Sequence, residues 1–228
     1  MTGSRIMQRI SVLLVASFCL ANLANSLAAT KPHTILFGKW IQVKVPDADG
    51  EKMRDLKVRP ILIDSRLKEY STGNPHDVSE RLLVVRRVFR LNDALPQEAG
   101  NRWQWQPGGW LFLDRVTGRI SQLNLPDFDP FYSEASWYRD YVAYCGVSDD
   151  GKKLYAMVVQ IGRRKPILNK ELGPLTEGET IDSQCAAPVW ERTPTRVTFH
   201  PAHLPQLLFS IRGRAADLIT EPDAEQEN

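Results

Sequence analysis

Apolar residues in this chain recur in bursts of strand length, and almost nowhere do they hold a 3.6-residue period. IQVKV at 41–45 alternates cleanly and is followed by the turn sequence PDADG. LKVRPILI at 56–63 and RLLVVRRVF at 81–89 are rich in Val, Ile and Leu over strand lengths. Pro60 has no amide proton to give to a ladder, so its strand is expected at an edge or a bulge. LFL at 111–113 and RISQL at 119–123, joined by DRVTG, read as a hairpin, and residues 137–161 read as another. KPILNKEL, TRVTFH and LLFSI supply shorter strands. Only RGRAADLI at 212–219, with part of 203–212, reads as helical. The expected fold is mainly β, with antiparallel hairpins in a sandwich-like or partial propeller-like arrangement and little helix.

The second hairpin can be read in register. Ser148-Asp149-Asp150-Gly151 is turn chemistry, with Gly151 suited to a left-handed position. If Ser148 and Lys152 flank a three-residue loop, Cys145 faces Tyr155 and Ala143 faces Met157. Tyr141, Ala143, Cys145, Tyr155, Met157 and Val159 then share one face, and Val142, Tyr144, Leu154, Ala156 and Val158 share the other. Both faces are apolar, so the hairpin is expected to be covered on both sides. A one-residue slip would exchange partners and leave that conclusion intact.

VAYCGVSDDGKKLYAMVVQIG resembles the middle hairpin of a β-propeller blade of the TolB or WD type, and GWLFLDRVTGRISQL resembles a blade edge of the same class. Together they cover about 108–161, or about one and a half blades. No regular repeat of about 40 residues runs through the chain, and closure needs at least about four blades. The resemblance implies β-hairpins and no activity.

Residues 1–28 have the parts of a secretory signal: Arg5 and Arg9 without an acid, the apolar run ISVLLVASFCLANL, and Ser26-Leu27-Ala28 at the exit. Cleavage near Ala28 and a periplasmic or secreted location are expected, with no membrane span after cleavage. The apolar run is shorter than the roughly 20 residues that a bilayer span needs. The rest is expected to be a single β-rich domain over 29–219 and a disordered acidic tail over 220–228. The whole chain has 29 basic and 27 acidic residues; subtracting the two leader arginines leaves 27 against 27. A neutral chain lacks the clustered charge that nucleic-acid binding requires, so no nucleic-acid partner is expected.

Beyond the leader two cysteines remain, Cys145 and Cys185. An even count in an exported chain favours a disulfide over a reactive thiolate, because that compartment permits oxidation and no histidine stands near Cys145 in sequence. Closing a loop of about 40 residues stabilises a fold by roughly 4 kcal/mol in the chain-entropy model.

Three further groups bear on function. RWQWQPGGWLF at 102–112 would, with a tight turn at Pro107-Gly108, place Trp103, Trp105, Trp110 and Phe112 on one face and Gln104, Gln106, Leu111 and Leu113 on the other. Such a row forms a core face if buried, and a platform for sugars, peptides or other flat partners if exposed. Asp127, Asp129, Glu134 and Asp140 cluster in a proline-marked loop; paired across a cleft, carboxylates could hydrolyse glycosides. His200 and His203 have a spacing that metal sites use, but Pro201 and Pro205 oppose a helix there and no third ligand is near, so no metal is expected. No cofactor loop, G-x-S-x-G elbow or H-E-x-x-H is present. The leading expectation is an exported, non-catalytic domain that binds or scaffolds a protein, an envelope component or a glycan. The alternative is a secreted hydrolase of glycan or ester substrates that uses Asp129, Glu134 and Asp140.

Overall fold

A computed structural model describes residues 33–47, 50–97, 100–174, 185–202 and 204–219. The expected leader, the acidic tail and His203 lie outside the described residues. Among these residues every regular element is a β-strand, and every pairing is antiparallel. No helix of the described residues is long and apolar enough to cross a membrane.

The N-terminal part forms a seven-stranded sheet. Its strands are β1 (Ile35–Phe37), β2 (Ile41–Pro46), β3 (Met53–Ile63), β4 (Arg66–Asp77), β5 (Leu82–Asn92), β6 (Trp103–Asp114) and β7 (Ile120–Leu123). β3 to β7 run as a meander, while β1 and β2 share the same flank of β3. Pro60 explains the shared flank. The β2 ladder stops at Ile41 opposite Val58, and the β1 ladder starts at Phe37 opposite Ile61. The residue without an amide proton falls in the gap, where its carbonyl still accepts Gly38 N at 2.9 Å.

The sheet is strongly curled. β1 and β7 stand at opposite ends of the strand order, yet Ile35, Phe37 and Ile120 pack on one buried cluster of Ile61, Leu83, Val85, Leu111 and Leu113. The β6–β7 turn reaches the chain just before β1. A Cβ on Gly118 would lie 2.8 Å from the ring of His33, so this approach requires glycine.

Two four-stranded meanders follow. One contains β8 (Ala135–Tyr138), β9 (Tyr141–Val147), β10 (Lys153–Gln160) and β11 (Leu168–Pro174). The other contains β12 (Cys185–Arg192), β13 (Thr195–Pro201), β14 (Leu207–Arg212) and β15 (Ala215–Leu218). They pack together through Ala143, Cys145, Val147, Leu154, Ala156 and Val158 on one side and Val197, Phe199, Phe209 and Ile211 on the other. Trp190 Nε1 on β12 donates to Ser136 O on β8 at 3.1 Å and ties their edges.

Cys145 and Cys185 form a disulfide between β9 and β12, with Cα atoms 6.3 Å apart. The β9–β10 hairpin is covered on both faces, because Val142, Tyr144, Met157 and Val159 pack under Leu125, Phe128 and Trp137. Its register differs from expectation by one residue: Cys145 pairs with Ala156, and Ala143 with Val158. The cause is local. Ser148 Oγ accepts both Lys152 N and Lys153 N, which draws Lys152 into the turn and lengthens the loop.

The helical reading of 212–219 is corrected. Gly213 takes a left-handed φ of 59°, the chain reverses, and Ala215–Leu218 pairs with β14 as a strand. The part of 203–212 read the same way contains β14.

Candidate functional site

The aromatic segment at 103–112 folds as one uninterrupted strand, so the expected turn at Pro107-Gly108 does not form. A bulge lies there instead. Val88 pairs with Pro107 and Arg86 with Trp110, leaving Gly108 and Gly109 opposite Arg87 alone. The extra residue resets the alternation of side chains. Trp103, Trp105, Pro107, Trp110 and Phe112 all stand on the face of Asn92, Arg90, Val88, Arg86 and Val84. Leu111 and Leu113 face the other way, into the cluster under β1 and β7. The grouping expected from a turn is thus produced by a bulge.

Exposure changes along this row. Trp103 is 56% exposed, Trp105 is half-buried, Trp110 is only 7% exposed, and Phe112 is half-buried. The Arg90 guanidinium lies 5.9 Å from the centre of the Trp103 ring and 5.3 Å from that of Trp105. Tyr70 meets Trp105 edge-on at 4.9 Å. At the inner end, the ring of Trp110 meets Trp137 of β8 edge-on at 5.0 Å. Trp137 in turn stacks on His76 at 5.4 Å. His76 lies within β4, and its Nε2 pairs with Arg139 O at 2.7 Å.

Between this face and the segment entering β8 is a cleft of about 380 Å³. Trp110, Pro107 and Arg86 line one side, and Phe131, Glu134 and Trp137 line the other. A third wall comes from Gly73 and Asn74, where β4 slips register against β5 between Thr72 and His76. Arg59 Nη2 reaches Gly73 O at 3.4 Å.

Arg86 holds the far wall in place. Its Nη1 donates to Ser133 O at 2.9 Å and its Nη2 to Pro130 O at 2.6 Å, while the guanidinium lies 5.2 Å from the centre of the Phe128 ring. Burial pushes Arg86 below the ordinary arginine range, and the charges of Glu134 and Asp129 oppose that shift. Its neighbour Arg87 takes the other face and forms a two-pronged pair with Glu69 at 3.1 and 3.0 Å. Ser133 is almost wholly buried; its Oγ donates to Cys145 O at 2.7 Å and accepts Asp129 N at 3.1 Å.

The acids expected as a catalytic set have separate tasks. Asp129 accepts Phe131 N at 2.7 Å within its own turn. Asp140 accepts Gln160 Nε2 at 2.8 Å beside the two-residue β8–β9 turn. Of the three, Glu134 alone lines the cleft, and it is exposed. Asp127 takes a left-handed φ of 55°, and its carbonyl accepts Val147 N at 2.7 Å. His33 pairs with Asp64 at 2.6 Å, and His200 lies on β13. Among the described residues no group of three or more His, Cys, Asp or Glu is placed to hold a metal ion.

Arg86 is the cleft residue that sequence reasoning missed. An arginine pair inside RLLVVRRVF was the available signal, since a charge within an apolar strand needs partners. Compared with known proteins, the chain matches no family model and has no significantly similar curated relative.

Proposed function

We propose that this protein is an exported, non-catalytic binding domain that holds an envelope partner, protein or glycan, on the aromatic face of β6. One observation carries the reading: the bulge at Gly108-Gly109 aligns Trp103, Trp105, Trp110 and Phe112 on one face of a sheet, running from an exposed indole to the wall of a cleft. Large flat rings fixed on a strand provide contact area at little entropic cost. The Cys145–Cys185 disulfide and the leader-like residues 1–28 support export.

The test is a pull-down from envelope extract and a glycan array, each run with the purified protein and with Trp103→Ala. Trp103 is exposed, so the variant should fold normally and lose most of the captured partner. Equal capture by both proteins would reject the aromatic face as the contact surface.

A further inference from the structure

The two meanders bring four hairpin turns to one end of the fold: those joining β8 to β9, β10 to β11, β12 to β13 and β14 to β15. Their closeness rests on specific contacts. Ile161 N, at the start of the β10–β11 turn, donates to Asp140 O of the β8–β9 turn at 2.8 Å. The Tyr141 hydroxyl donates to Gly213 O of the β14–β15 turn at 3.3 Å. Trp190, near the end of β12, meets the rings of Tyr138 at 5.7 Å and Tyr141 at 6.2 Å.

These turns are basic. Arg163, Arg164 and Lys165 stand on the β10–β11 turn, and all three are exposed. Arg212 and Arg214 flank Gly213 on the β14–β15 turn, and Arg139 and Arg192 belong to the other two; these four are exposed as well. Among the described residues none of the seven forms an ion pair. The acids of this end are already engaged: Asp140 accepts Gln160, and Glu191 pairs with Arg196 at 3.8 Å. The adjoining end of the seven-stranded sheet, which reaches Arg139 O through His76, pairs Arg81 with Asp114 and Arg115 with Asp77. Basic and acidic residues balance over the sequence beyond the leader, so a basic end leaves the rest acidic.

Charge separated in this way turns one end of a molecule toward a negative surface. The arrangement of the charges selects the kind of surface. A linear polyanion meets cations along one line, whereas these stand on the tips of four turns from two packed sheets. A plane of headgroups can meet all four tips at once. The ring and hydrogen-bond contacts above hold the turns together beforehand, so little ordering is lost on contact.

We infer that this basic end docks on a membrane surface rich in anionic lipid. The docking uses none of the β6 aromatic residues and goes beyond the aromatic-face reading. Each Lys or Arg brought near such a surface adds to the attraction, which salt screens.

The experiment sediments the purified protein with vesicles of phosphatidylcholine alone, or of phosphatidylcholine mixed with phosphatidylglycerol, at low and high salt. Binding should require phosphatidylglycerol and fall at least about tenfold at high salt. Arg163→Gln with Arg164→Gln and Lys165→Gln should weaken it by at least about tenfold. Arg212→Gln with Arg214→Gln should weaken it several-fold, and this second variant keeps the test open if the first misfolds. Arg66→Gln with Lys68→Gln and Lys152→Gln removes the same charge from exposed positions elsewhere, and its binding should stay within about twofold of the parent. Equal losses in the two triple variants overturn the inference, as does failure to bind anionic vesicles. Capture of soluble polygalacturonate without capture of vesicles also overturns it and assigns the basic end to a polymer. None of these failures bears on Trp103-dependent capture, which tests the aromatic face separately.

Discussion

Ser133 donates its hydroxyl to the backbone carbonyl of Cys145 at 2.7 Å, which joins the wall of the cleft to the strand that carries the disulfide. The same serine gives its own carbonyl to Arg86 of the seven-stranded sheet. A cross-link between the two meanders is therefore one polar contact away from the candidate site.

Reduction of Cys145–Cys185, or the double change to Ala, should lower stability by about 4 kcal/mol, the chain-entropy value for a loop of about 40 residues. Urea midpoints with and without reductant measure this. An unchanged midpoint would show that the bond contributes nothing to the fold. Thiol labelling of the untreated native protein should find neither residue reactive.

Arg86→Met keeps the bulk of the side chain and removes its donors, leaving Pro130 O and Ser133 O without them. The expected loss is about 2–4 kcal/mol, because each contact is a charge-assisted hydrogen bond. Arg86→Lys should recover little of it, since a single ammonium cannot reproduce the planar fork that serves two carbonyls. Amide exchange should accelerate first over 128–138. Full rescue by lysine would contradict this account.

The two bulge glycines should respond differently to alanine. A Cβ on Gly108 would lie 3.1 Å from both Cβ and O of Arg87, whereas one on Gly109 would meet nothing within 4 Å. Gly108→Ala should cost about 1–3 kcal/mol and disturb the alignment of Trp105 with Trp110. Gly109→Ala should stay within about 0.5 kcal/mol of the parent. Thermal denaturation and near-ultraviolet circular dichroism distinguish them, and equal effects would argue against the bulge.

Asp114 predicts a pH dependence. Its carboxylate accepts Arg81, and also the backbone amides of Val116 and Thr117 at 2.8 and 3.2 Å. The Arg81 hydrogen bond, aided by those amides, holds its pKa well below the usual carboxylate range. A carboxylate lowered in the folded state contributes stability that is complete above its unfolded value near ~3.9 and is lost as pH falls toward the folded value. Asp114→Asn should therefore destabilise the protein at pH 7 and flatten its acid limb between about pH 4 and 2. Parallel acid limbs for variant and parent would refute this.

Much of the architecture was legible because period-2 apolar runs and turn residues are local signals. The Leu113–Ile120 hairpin and the two-faced β9–β10 ribbon follow from them, and the Cys145–Cys185 bond from the even cysteine count beyond the leader. Features set by contacts far apart in sequence were hidden. RGRAADLI has helix-forming residues, but Gly213 and the open edge of β14 draw it into a strand. The alignment of Trp103 with Trp110 was legible as a grouping, yet its cause depends on β5, about 20 residues upstream, supplying a single residue opposite two glycines. The cleft was not legible at all, because its walls come from β3, β4, β5, β6, β8 and the segment before β8.

The meeting of β1 and β7 over one cluster, with Gly118 against His33, has a meaning for crowded solutions. Long unpaired strand borders act as templates for fibrils and strand exchange, and here both end strands are short, three residues in β1 and four in β7, which limits the template that either offers. Substitutions that pry the His33–Gly118 seam apart should first reveal themselves as self-association in concentrated samples, before any loss of the aromatic face.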